Sequence, residues 1–104
     1  MPASWLELMA VLEQLELLVY SEQEEKWTDA QQLARQLDVE VKRFFSENTD
    51  LSPSVAAQIA VDGERLLGAL SSMAASAAQQ KKEMGKEISG FLNGQKGINA
   101  YKKV

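Results

Sequence analysis

From Ser52 to about Leu92, apolar residues recur at helical spacing, and no proline follows Pro53. Ile59, Leu66, Leu70, Met73, Ala77, Met84, Ile88 and Phe91 step by three, four or seven. The pattern predicts a long third helix, which drawn without a break reaches roughly 60 Å at 1.5 Å per residue. Two shorter helices precede it, each about half that length. They are too short to shield the whole apolar stripe in one layer. The chain's own tail, a second copy or a client must cover the rest. The mismatch points to a binding protein and away from an enzyme.

The first helix follows Pro2, with Ser4-Trp5-Leu6-Glu7 reading as a capping box. Trp5, Leu8, Leu12, Leu15, Leu18 and Val19 form its stripe, and Leu6, Met9, Val11 and Leu17 widen it. So broad a face predicts a helix set between neighbours. Glu22, Gln23, Glu24, Glu25 and Lys26 carry no apolar signal and mark a connection. Thr28-Asp29-Ala30-Gln31 reads as a second capping box, and Ala30, Leu33, Leu37, Val41 and Phe44 form the next stripe, with Phe45 beside it. Trp27 sits at the corner, where packing is its expected role. Short connections make these helices antiparallel neighbours.

Asn48, Thr49 and Asp50 end the second helix. Ser52 caps the third, and Pro53 falls in the first turn, where a missing donor costs nothing. Gly63 and Gly68 suggest close helix approach or a mild kink. Gly85, Gly90, Gly94 and Gly97 read as helix terminators, with a break expected near Gly94 and a marginal turn through Ile98 and Tyr101. No strand alternation or repeat appears. The expected fold is all-α: an antiparallel helical bundle of three main helices, the third one long, with a short or labile C-terminal helical segment, in one domain over residues 1–104.

Composition narrows the chemistry. The chain has no histidine and no cysteine, which removes disulfides, zinc fingers, thiol nucleophiles and the usual general base. No inward-facing pair of carboxylates stands out, so no catalytic, cofactor-binding or metal-ligating residue is assigned. The net charge of −4 argues against nucleic-acid binding. The charge is unevenly spread: residues 1–29 carry seven acids against Lys26, and residues 80–104 carry six lysines against Glu83 and Glu87. That asymmetry suits a tail held against the first helix, a steered partner, or two solvated faces. The start lacks a basic leader pattern, and no apolar run reaches membrane-spanning length, so a soluble cytosolic protein is expected.

The order of features resembles the FliT-type flagellar export chaperones. The resemblance rests on a leucine-rich first helix ending in Glu24-Glu25-Lys26-Trp27-Thr28-Asp29, a second helix with Leu33, Arg35 and Leu37, and a long third helix. The chain then closes on Gly94, Lys96, Ala100 and Tyr101. It spans nearly the whole chain, without a catalytic fingerprint. The resemblance implies a cytoplasmic chaperone that holds the C-terminal helical region of the filament cap protein until export. Its other implied partners are the export ATPase complex, the export gate and, in some members, a flagellar transcription regulator. It also implies a last short helix able to lie over the client groove. Tyr101, with Ile98 three residues before it, inherits gate docking.

The client groove is placed on the second and third helices, around Leu37, Val41, Phe44, Leu70 and Met73, residues that also suit an ordinary core. A client helix laid along such a groove is a standard recognition mode. Two rivals share much of this pattern: a chaperone of a virulence-type secretion system, and a coiled-coil structural or adaptor protein that homodimerises through the third helix.

Overall fold

The computed structural model describes residues 2–94. Four helices follow in order: α1 (Ala3–Val19), α2 (Trp27–Glu47), α3 (Pro53–Gln80) and α4 (Lys82–Asn93), with no strand among the described residues. The all-α bundle expected from the periodicity is present. The expected turn through Ile98 and Tyr101 lies outside the described residues.

The long helix departs from expectation at one residue. Lys81 is extended, with φ −149° and ψ 100°, and the chain reverses there into α4. Neither glycine nor proline marks the spot. The backbone loses little at the reversal: Lys81 N still donates to Ala77 O, and Lys81 O accepts from the amides of Met84 and Gly85. In exchange Met84, Ile88 and Phe91 become buried. Each is worth about 1.5–3 kcal/mol, more than the few helical bonds given up. The expected shortage of cover therefore does not arise, because the second half of the stripe folds back and shields the first. With 28 residues, α3 alone accounts for the 43 Å long axis of the molecule.

Two antiparallel hairpins build the bundle. In the first, the Trp5 ring lies 5.0 Å from that of Phe44 and 6.1 Å from that of Phe45, while the opposite end is closed by Lys26 and Val19. In the second, Gly85 faces Ala78 near the turn, and Leu67 and Leu92 line one cavity farther along. The hairpins dock through α1 against α3 and α2 against α4. Trp5 is fully buried, and its indole Nε1 donates to Asp62 Oδ2 at 3.0 Å. That bond gives the buried indole N–H its partner and ties α1 to α3.

Helix starts follow tertiary docking more than local caps. Neither predicted capping box forms. Pro2 is extended and its carbonyl accepts from Trp5 N and Leu6 N, so α1 begins upstream of Ser4. Lys26 is held in a helical conformation and accepts from Ala30 N, so Thr28 and Asp29 already lie inside the first turn of α2. Asp29 keeps its favourable place at the helix N-terminus. The Ser52 cap does form, accepting from Val55 N, with Pro53 in the first turn of α3.

Candidate protein-docking surfaces

The five residues expected to line a client groove are all core. Leu37, Val41, Phe44, Leu70 and Met73 are each no more than 2% exposed and belong to one buried cluster spanning all four helices. The physical reason is that α1 and α4 together cover them: α2 lies chiefly along α1, where Phe44 packs on Trp5, and α4 closes the rest. Its Met84, Ile88 and Phe91 join that cluster, closing the surface between α2 and α3 that the two would otherwise leave open. The surface on which a groove was expected is thus covered by the chain itself. Ile98 and Tyr101, the expected gate-docking pair, lie outside the described residues.

Polar contacts fix α4 along α2. Glu87 accepts from Gln31 Nε2 at 2.9 Å and from Arg35 Nε at 2.8 Å. Arg35 is largely exposed, so the ion pair contributes modestly, on the order of 1 kcal/mol or less, and mainly sets register. The tighter constraint is steric. A Cβ built on Gly85 would lie 2.7 Å from Ala78 Cβ, 2.8 Å from its Cα and 2.9 Å from its N. Gly85 is therefore a contact point between two backbones, where the sequence suggested a terminator. Gly94 does end α4, as its spacing suggested.

A second surface lies on the outside of α1. The broad apolar face predicted a helix enclosed by neighbours. Only the inner part of that face, from Trp5 to Val19, is enclosed. Leu6 is 57% exposed, Leu17 76% and Tyr20 51%. With the exposed Ala10 and Glu13 they form a continuous stripe at positions 6, 10, 13, 17 and 20. At its edge Arg65 of α3 approaches Glu16 at 3.7 Å. Partial burial raises the pKa of the Tyr20 phenol, and the Glu16 carboxylate raises it further.

The role of Lys26 does not show in the sequence, where it reads as one more polar residue in an acidic connection. It is 3% exposed, and its ammonium donates to Val19 O and Ser21 O at 2.6 Å each while lying 4.8 Å from the centre of the Trp27 ring. A cation on the last carbonyls of α1 suits the helix dipole. Trp27 itself is half-buried against the core, the packing role expected of it. The only sequence signal for this arrangement is a single base, set directly before a tryptophan, after a run of three glutamates and a glutamine.

No protein-family model, curated protein or solved structure matches the chain. Among the described residues no helix is long and apolar enough to cross a membrane, and no three acidic side chains converge as a metal-ligand set.

Proposed function

We propose that the chain is a secretion chaperone of the FliT type, which binds the C-terminal helical region of a filament cap protein in the cytoplasm and hands it to the export ATPase complex and gate. The observation that carries this reading is α4. It is a separate amphipathic helix, joined to the bundle through one extended residue, and it lies where the client groove is expected. A segment held that way behaves as a stand-in for a client helix. Displacing it re-exposes apolar surface on α2 and α3 without breaking the first hairpin. A regulatory contact with a flagellar transcription factor belongs to the same proposal as a secondary role.

The test is a calorimetric titration of the chain with the C-terminal helical region of the cap protein. One-to-one binding is expected. Affinity should rise in a variant whose α4 is loosened, Gly85→Ala, because apparent affinity scales with the population of the open state. Absence of binding by both proteins would remove the proposal.

A further inference from the structure

We propose that the outer face of α1 is a second docking surface, and that its occupant is a basic amphipathic helix of a partner protein. The surface is independent of the α4-covered groove, since it points away from the core that the groove opens onto.

Isolated surface leucines are ordinary. The arrangement on α1 is not isolated. Leu6, Ala10, Leu17 and Tyr20 fall on one face over about four turns, roughly 21 Å of helix. That spacing is the footprint by which one helix grips another. The identity of the occupant follows from charge. Every ionised side chain from residue 2 to residue 25 is a glutamate: Glu7, Glu13, Glu16, Glu22, Glu24 and Glu25. The next base, Lys26, is buried with its ammonium already on two carbonyls, so it does not neutralise this rim. The stripe's own helix carries only acids; Arg65 already approaches Glu16 at its edge, and the acids left over favour a helix that carries apolar anchors flanked by lysine or arginine. Glu13 interrupts the stripe midway, between Ala10 and Leu17. It calls for a cation at the centre of the partner's apolar face, which would fix register.

The same charges count against other occupants. Two copies meeting through α1 would set glutamate rims against each other. Nucleic acid and anionic lipid are repelled.

The probe is a synthetic helix of about 18 residues, leucine on one face and lysine on the other, with one lysine in the middle of the leucine face. A glutamate-for-lysine peptide of the same pattern is the control. Binding to the isotope-labelled full chain is followed by amide chemical shifts. Shifts should centre on Leu6, Ala10, Glu13, Leu17 and Tyr20 with the lysine peptide alone, and weaken with added salt. Leu17→Ser should reduce affinity about tenfold or more, the loss of one buried leucine anchor. Because Leu17 is 76% exposed, the variant keeps its fold, verified by an unchanged melting temperature. Shifts centred on α2 and α4, equal binding of the acidic peptide, or an unaffected Leu17→Ser variant would each overturn the proposal. Concentration-dependent shifts on α1 in the chain alone would reassign the surface to a second copy.

Discussion

Replacing Gly85 with alanine tests whether α4 is seated by backbone contact. In a helix interior, glycine to alanine is ordinarily stabilising by about 1 kcal/mol. Gly90, in the same helix, has nothing within 4 Å of a built Cβ, so Gly90→Ala should show that gain. At Gly85 the added carbon meets three atoms of Ala78 at 2.7–2.9 Å. Two of them, Cα and N, are main chain and cannot rotate away. Overpacking of this kind costs about 1–3 kcal/mol. The two variants share helix and chemistry, so their intrinsic propensity gains roughly cancel in the comparison, and the clash remains. Thermal unfolding followed by far-ultraviolet circular dichroism should place Gly85→Ala below Gly90→Ala by at least about 4 °C, given roughly 4–8 °C per kcal/mol for a domain near this size. Adding Ala78→Gly should restore only part of the loss, because it removes one clashing atom of the three. Equal melting of the Gly85 and Gly90 variants would refute a backbone contact at this crossing.

Lys26→Met keeps the aliphatic stem but strips the donors from Val19 O and Ser21 O. It should lower stability by about 1–3 kcal/mol, read as a lower urea midpoint; an unchanged midpoint would show that water caps α1 equally well. In a Tyr101→Phe background, ultraviolet titration should find Tyr20 ionising above the usual tyrosine pKa of 10.0, and Glu16→Gln should bring it part of the way back. A raised phenol pKa adds no pH dependence to stability below the unfolded value, and its contribution is lost as the pH climbs through the folded one.

The periodicity of the chain made its class legible, because burial on one face leaves a three-four rhythm that needs no tertiary knowledge. Trp5, Leu8, Leu12, Leu15, Ile59 and Leu66 were all readable as core this way. What periodicity does not record is where a continuous rhythm bends. Residues 80–84 would continue a helix comfortably, and the reversal at Lys81 comes from what α4 gains against α2 and α3. The same blindness hid the site. Leu37 and Met73 look identical in sequence whether a client or α4 covers them. On α1, Leu6 and Leu17 widened a face that tertiary packing enclosed only in part, leaving them on the outside. Caps misled for a related reason. Ser4 and Thr28 satisfy the local pattern, but the ends they would cap are fixed upstream by Pro2 and by the docking of Lys26.

The reversal at Lys81 is a single residue long, and this brevity has a topological consequence. Rotating that one residue into helical geometry would turn α3 and α4 into a continuous rod over residues 53–93. The contacts that Met84, Ile88 and Phe91 make would then be available only on another molecule, which could accept them in the same places. Intramolecular closure and reciprocal exchange between two copies thus draw on one set of side-chain contacts, and they differ in hinge angle and in protein concentration.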